Sequence, residues 1–249
     1  MLSARTLLIR GMVVGAIAGV VAYLFATLFG EGPISDAIAF EEAHAAALPA
    51  GEHEHEVVSR TVQSTIGLAT ASIIYGIALG GLYGIAVAIA AGRVGRLSAR
   101  ATAGLVALGG FVGVALVPFL KYPANPPATG NPDTLQQRTG LYFLMIVIGV
   151  AAVLGAVLVG RSLQPRLGTW NASTVALVGA AVLVGAILYV LPAVNEVPDG
   201  FSPILLWRFR LASLGTQAVT WATLGLLFGY LTERSQRRQP VPAVQPVAA

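Results

Sequence analysis

Six long apolar stretches constrain this chain more than any other feature of its sequence. Each is about 20 residues long, which is enough to cross a hydrocarbon core of roughly 30 Å as a helix. They lie near residues 11–29, 66–91, 101–119, 140–160, 172–191 and 211–231. The pattern predicts an all-α, polytopic membrane bundle of six transmembrane helices in a lipid bilayer.

The composition agrees with this interpretation and limits the chemistry of any site. Of the 249 residues, 56% are hydrophobic and only 10% are charged, which excludes a soluble domain. Because the chain has no cysteine, a metal would be bound through nitrogen and oxygen atoms. No histidine or acid falls inside a predicted span, and the single lysine, Lys121, is not part of a phosphate-binding loop. We therefore expect no enzyme, no tightly bound cofactor and no hydrolysis of ATP by this chain.

The distribution of basic residues predicts the orientation. The segment before the first span, the second and fourth connections and the segment after the last span hold ten arginines and one acid, Glu233. The remaining connections hold ten acids and five basic residues. Because positively charged loops stay in the cytoplasm, both ends of the chain are expected there, and the basic excess does not indicate nucleic acid. Residues 30–65 are then an acidic outer loop of a membrane domain at residues 1–234, followed by a disordered cytoplasmic tail at 235–249.

Glycines recur at every fourth position in the first two spans. The stripes consist of Gly11, Gly15 and Gly19, and of Gly76, Gly80 and Gly84. Such stripes let two helix backbones approach closely, so we expect the helices to pack against each other here. The same stripes are compatible with packing between two copies of the chain in a homo-oligomer.

Each helix that returns into the membrane from the outside begins with an arginine, namely Arg60, Arg138 or Arg210. The positive end of the helix dipole disfavours a cation at the start of a helix, so acidic or carbonyl groups should compensate the charge of each arginine. The available acids are Glu56, Asp133, Glu196 and Asp199. The repeated pattern suggests three related helical hairpins.

The last return helix has a polar face, because Ser213, Gln217 and Thr220 follow Arg210 at helical spacing. Gln217 lies about 10 Å beyond Arg210 along the helix. The face either forms hydrogen bonds between helices, the interpretation we favour, or lines a route for a solute. If the three return helices face one axis, Gln63, Ser64, Tyr142 and Met145 would line it as well.

The first outer loop holds the best candidate metal ligands. His53 and His55 alternate with Glu52, Glu54 and Glu56, and His44 could join them by loop closure. Imidazole and carboxylate suit cobalt, nickel or zinc. A solvated acidic loop without metal is an equally good interpretation of the same residues.

Two outer motifs resemble the CbtA family of predicted cobalt transporter membrane subunits. They are "VPFLKYPANPPATGNPDTLQQRTGLY" at residues 117–142 and "LPAVNEVPDGFSPILLWRFRLASLGTQAVTW" at residues 191–221. The resemblance runs from the first span to "LGLLFGY" and implies cobalt transport connected with cobalamin, with a small single-span, His-rich membrane subunit as partner. The motif residues carried over are Lys121, Tyr122, Asn125, Arg138, Asn195, Glu196, Arg208, Arg210, Ser213 and Gln217.

These observations predict a bacterial inner-membrane protein for divalent metal uptake, with Co²⁺ favoured and Ni²⁺ or Zn²⁺ as alternatives. The first outer loop would capture the ion and pass it to a route near Asn195, Glu196 and Gln217. Glu196 is a candidate metal ligand. The interpretation that we favour is that its carboxylate neutralises Arg208 or Arg210. Two other functions remain open. One is a scaffold that recruits or stabilises a separate permease, and the other is a transporter of a small anion or solute built around Arg60, Arg138, Arg208 and Arg210.

Overall fold

Six helices form the part of the chain that the computed structural model describes, which is residues 3–46, 58–95 and 97–237. They are α1 (Ala4–Phe29), α2 (Glu31–Ala46), α3 (Arg60–Ala90), α4 (Ala99–Lys121), α5 (Leu135–Val190) and α6 (Pro203–Arg237). All except α2 are long and apolar enough to span a bilayer. The predicted all-α membrane bundle is confirmed.

The longest helix, α5, folds back on itself and supplies two crossings. Its 56 residues would measure roughly 84 Å if straight, far more than one bilayer requires. At Gly168 the backbone leaves the helical region, with φ 72° and ψ 165°. A Cβ added to Gly160 would lie 3.5 Å from the Cβ of Ala176, although a straight helix would place these residues about 24 Å apart. Residues 135–167 and 169–190 therefore form a hairpin, and five spanning helices make the six predicted crossings.

Two hydrophobic cores hold the bundle together, and α4 contributes to both. The larger core joins α1, α3, α4 and α6 around Val14, Tyr83, Ala103 and Phe228. The smaller core joins the outer half of α4 to both halves of α5 through Val117, Met145 and Val184. The α5 hairpin is thus attached to the remaining helices mainly by way of α4.

The two glycine stripes face each other across α1 and α3. A Cβ on Gly15 would lie 2.9 Å from the Cα of Gly80, and one on Gly76 would lie 2.9 Å from the Cα of Gly19. No side chain fits between backbones at this separation. The packing predicted from the glycine spacing is confirmed.

The predicted outer loop is partly helical. Residues 31–46 form α2, whose Ala37 is fully buried and whose Phe40 meets Phe201 edge to face with the ring centroids 5.1 Å apart. The helix therefore lies against the start of α6. Of the candidate ligands in this loop, Glu52, His53, Glu54, His55 and Glu56 lie outside the described residues. At the other end of the chain α6 continues to Arg237, three residues into the predicted tail.

Candidate functional site

A cavity of about 300 Å³, with four polar side chains in a mostly apolar lining, opens between α4, the first half of α5 and α6. It lies toward the end of the bundle that carries the connections 122–134 and 191–202, called here the outer end according to the orientation predicted from the arginines. Its walls are Ala115, Phe119, Tyr122, Pro123, Ala124, Tyr142, Ser213, Leu214 and Gln217. The polar groups are two phenol hydroxyls, one serine hydroxyl and one amide. Two of the three return helices thus face a common space.

The third return helix, α3, contributes nothing to this cavity. Near its start Gln63 donates a hydrogen bond from Nε2 to the carbonyl of Val58 at 2.7 Å, and the Ser64 hydroxyl donates to the carbonyl of Thr61 at 3.3 Å. Both side chains are used locally. Met145, expected to face the same axis, is instead fully buried in the smaller core. The single axis lined by three return helices is therefore wrong in these particulars.

One wall of the cavity belongs to a distorted stretch of helix. Residues Phe111–Leu116 of α4 are π-helical, and Ala115 within this stretch lines the cavity. Single π-helical turns inside α-helices occur frequently at functional sites. In the same stretch Gly113 packs backbone to backbone against Gly149 of α5, where an added Cβ would lie 3.1 Å from the Gly149 carbonyl carbon. The close contact holds α4 and α5 together beside the cavity.

Ser213 and Gln217 of the polar face of α6 line the cavity, and within the described residues neither they nor Thr220 form a hydrogen bond to another helix. The Oε1 atom of Gln217 is buried without a hydrogen-bond partner among the described residues. The hydroxyl of Thr220 donates to the carbonyl of Thr216 in its own helix at 2.7 Å. The interpretation that we favoured from the sequence, hydrogen bonding between helices, is not supported for these side chains. A buried amide oxygen without a partner at a cavity wall is a free acceptor for something that enters the cavity.

Arg138 and Glu196 form an ion pair between the start of α5 and the connection that precedes α6. Arg138 Nε lies 3.2 Å from Glu196 Oε2, in a geometry that is an ion pair and not a hydrogen bond. The carboxylate also accepts hydrogen bonds from the backbone N–H of Asn131 at 2.8 Å and from the Thr134 hydroxyl. Glu196 is only 12% exposed. The expectation that an acid would neutralise Arg138 is confirmed, but Glu196 does not pair with Arg208 or Arg210.

These contacts lower the pKa of Glu196 below its ordinary value of 4.5. The largest cause is the hydrogen bond from Thr134, followed by that from the Asn131 backbone, while the charge of Arg138 contributes less and desolvation opposes them. A lowered carboxyl pKa stabilises the fold fully above the unfolded pKa, and this stabilisation is lost as the pH falls from the unfolded pKa through the lower folded pKa.

We therefore expect the thermal midpoint of the detergent-solubilised protein to fall between about pH 6 and about pH 3.5, and to fall less in Glu196→Gln. The measurement is a thermal melt at each pH. Glu41→Gln, which changes an exposed acid on α2, is the control and should melt like the native chain. If Glu196→Gln also followed the native curve, the assigned stabilisation would be wrong.

The other re-entry arginines are held by different groups. Arg60 forms an ion pair of 2.5 Å with Glu31 at the start of α2, an acid that was not among the expected partners. Arg210 donates from Nη2 to the side-chain oxygen of Asn125 at 2.8 Å, and its Nε atom is buried without a partner among the described residues. The three return helices therefore each begin with an arginine, but a different kind of group compensates its charge in each. That the three helical hairpins are related stays a prediction.

Lys121 and Tyr122 have structural contacts at the outer end. The Lys121 ammonium donates to the carbonyl of Leu188 at 2.7 Å, and the Tyr122 hydroxyl donates to the carbonyl of Pro192 at 2.9 Å. Both bonds fasten the end of α5 to the end of α4. The remaining motif residues, Asn195 and Arg208, are exposed.

No group of three His, Asp or Glu side chains is close enough to hold a metal ion within the described ranges. His44, near the end of α2, is exposed and its ring stacks on Phe40 with the centroids 6.0 Å apart. Sequence reasoning missed Glu31, Asn131 and Thr134, whose roles depend on how the connections fold over the helix ends. The Asn-Pro-Asp-Thr sequence of residues 131–134 is typical of a tight turn, which was the available signal.

Comparison with known protein families gives a match over nearly the whole chain. A family model described as "Probable cobalt transporter subunit (CbtA)" matches residues 4–233. Searches of curated proteins and of solved structures found no significant match.

Proposed function

Because this chain belongs to the CbtA family of probable cobalt transporter subunits, we propose that its outer cavity is the compartment through which the metal enters the membrane. The family match covers nearly the whole chain, so the fold that builds the cavity is the part of the protein that the family shares. The observation that carries the proposal is the cavity itself, with the unpartnered oxygen of Gln217 on its wall.

Four properties of the cavity support a role in passage. It holds four polar side chains within a bundle whose outward surface is apolar, it lies at the outer end, and a π-helical stretch forms one wall. Its hydroxyl and amide oxygens are neutral groups that can replace water around a solute without holding it tightly. Passage requires binding that is favourable enough for the solute to enter and weak enough for it to leave.

Capture is assigned to the first outer loop. His53 and His55, with the carboxylates of Glu52, Glu54 and Glu56, are the borderline ligands that cobalt, nickel or zinc would find first. The ion pair between Arg60 and Glu31 ties together the two helices from which this loop starts and to which it returns. The loop is therefore anchored at the outer end, where His44 is also exposed.

Glu196 is assigned to the framework of the outer end, because its carboxylate already accepts two hydrogen bonds and faces a guanidinium. Asn195 beside it is exposed and is a candidate contact on the way to the cavity. Lys121, Tyr122, Asn125 and Arg138 hold the connections that form the rim.

The family name describes a subunit, so the complete transporter has a further component. We propose that this component is a small single-span membrane protein with a His-rich end, and that the complex lies in a bacterial inner membrane. Since the chain has no phosphate-binding loop, the energy would come from an ion gradient, from downhill flux or from the partner.

Cobalt uptake into vesicles tests the proposal. We expect lipid vesicles that contain the purified chain to take up labelled cobalt faster than empty vesicles. Replacing both His53 and His55 with alanine should reduce the rate most at low cobalt and near or above the ordinary histidine pKa of about 6.5, where neutral imidazole binds metal. His44→Ala tests separately whether the third candidate histidine contributes to capture.

A chain that takes up no cobalt alone but supports uptake when a second subunit is added would favour the scaffold function. Unchanged cobalt uptake in the variant that lacks both His53 and His55 would contradict capture of the ion by these histidines. The ion pairs of Arg60 and Arg138 neutralise two of the four arginines around which a transporter of a free anion would be built.

A further inference from the structure

The cavity does not suit a bare divalent cation. None of its nine lining residues is an acid or a histidine. Neutral oxygens alone do not compensate a double charge that has lost its water in a membrane domain. At this end of the bundle, Glu31 and Glu196 are already paired with Arg60 and Arg138.

The charge beside the cavity is positive. Arg210 lies one helical turn outward from the lining residues Ser213 and Leu214. Its only hydrogen-bond partner among the described residues is the neutral side chain of Asn125, and no carboxylate pairs with it there. Asn125 in turn follows Ala124, which also lines the cavity. A cation that approaches this place meets a guanidinium first and is repelled by it.

The same features suit an anion that carries the metal. A guanidinium binds a carboxylate through parallel N–H donors, and the buried Nε of Arg210 is without a partner among the described residues. The hydroxyls of Tyr142 and Ser213 and the amide of Gln217 supply further donors. About 300 Å³ is at the lower end of the size of small-molecule sites, and suits a small chelate.

We propose that the cavity receives the metal as a complex with a small polycarboxylate, and that Arg210 binds a carboxylate of the chelator. This inference rests on the proposed function and names the form of its substrate. The chelator supplies the anionic ligands that the cavity lacks, so the complex brings little or no net positive charge to the arginine. The carboxylates could instead come from acidic side chains of the outer loop or of a partner subunit, which share this chemistry.

Equilibrium binding to the purified full chain in lipid nanodiscs separates these sources. The probes are labelled cobalt and labelled citrate, with free Co²⁺ held constant by a metal buffer while citrate is raised. The chain used carries His53→Ala and His55→Ala, so that capture at the first outer loop does not add to the retained cobalt. We expect this chain to retain cobalt and citrate together in equal amounts, and retained cobalt to follow the concentration of the complex. Cobalt that it binds without citrate would assign the carboxylates to protein side chains and overturn the inference.

Asn125→Asp is the most informative variant, because it keeps the size of the side chain and the contact to Arg210 while neutralising the guanidinium. It should weaken retention of the citrate complex at least tenfold. Arg210→Gln should do the same, and Arg210→Lys, which keeps the charge without the planar fork, should fall between. The matched control is Arg208→Gln, an exposed arginine two residues away, which should bind like the native chain.

Unchanged co-retention of citrate in Asn125→Asp and Arg210→Gln, with both variants folded by their thermal melts, would overturn the inference. Vesicle uptake distinguishes this failure from failure of the proposed function. If the rate of uptake depends on the concentration of free Co²⁺ and not on that of citrate, the proposed function is retained and only the inference of a chelate is contradicted. If no uptake occurs under any condition, including with a second subunit, both the proposed function and the inference of a chelate are contradicted.

Discussion

Leucine in place of Gly15 is expected to disrupt the bundle. A Cβ at this position would lie 2.9 Å from the Cα of Gly80 in α3, so the clash is with backbone, which cannot rotate away as a side chain does. Overpacking of a tight core costs roughly 1–3 kcal/mol, and we expect a cost at or above the upper end of that range. The variant should be recovered in low yield, with a lowered thermal midpoint in detergent.

Gly179→Leu provides the matched control for Gly15→Leu. Gly179 is exposed on the second half of α5, and a Cβ there would meet nothing within 4 Å. The same change of side chain raises helix propensity by about 1 kcal/mol, so this variant should be as stable as the native chain or slightly more stable. If both leucines had the same effect, the cost would not come from the contact between α1 and α3.

Leucine in place of Gln217 should separate transport from stability. The Oε1 atom of Gln217 is buried without a partner among the described residues, so removing the amide relieves a desolvation penalty of about 1–3 kcal/mol while keeping a similar volume. We expect an unchanged or raised thermal midpoint. Cobalt uptake should nevertheless fall at least about tenfold, since the loss of one interaction worth about 1.4 kcal/mol has that effect on a rate.

Thr223→Val is the control on the same helix. Thr223 lies inward of Gln217 and donates its hydroxyl to the carbonyl of Val219 at 2.7 Å within α6. It does not line the cavity, so its removal should leave cobalt uptake near the native rate. A Gln217→Leu chain that is less stable than the native chain would indicate a structural role for the amide, and native uptake would remove the cavity from the route.

The membrane crossings of the chain were predictable because the length of each apolar stretch of sequence is enough to identify them. The connection expected between residues 160 and 172 contains Gly168, where α5 turns back. Glycine spacing likewise predicted the contact between α1 and α3. In each case the signal is local in the sequence, so it does not depend on knowing which helices are neighbours.

The candidate site was predictable only in part. Helical spacing placed Tyr142, Ser213 and Gln217 toward a common space. It did not reveal the π-helical wall, whose hydrogen-bond shift accompanies the contact of Gly113 with Gly149 in another helix. Helix α2 was missed because its 16 residues include four acids and are too few for a membrane span. Only the burial of Ala37 and the contact of Phe40 with Phe201, far along the chain, give it a packed face.

The attachment of the α5 hairpin has a mechanical consequence. The hairpin packs on α4 and has little contact with α1, α3 or α6 in the described part of the chain. Tyr142 on the hairpin and Gln217 on α6 are opposite walls of the cavity, so the cavity is the gap between two bodies that share α4. If the hairpin rotated about α4, the width of this gap would change while the larger core stayed intact. The glycine contact between α4 and α5 would be the pivot of such a rotation, and the hydrogen bonds of Lys121 and Tyr122 to the end of α5 would limit it.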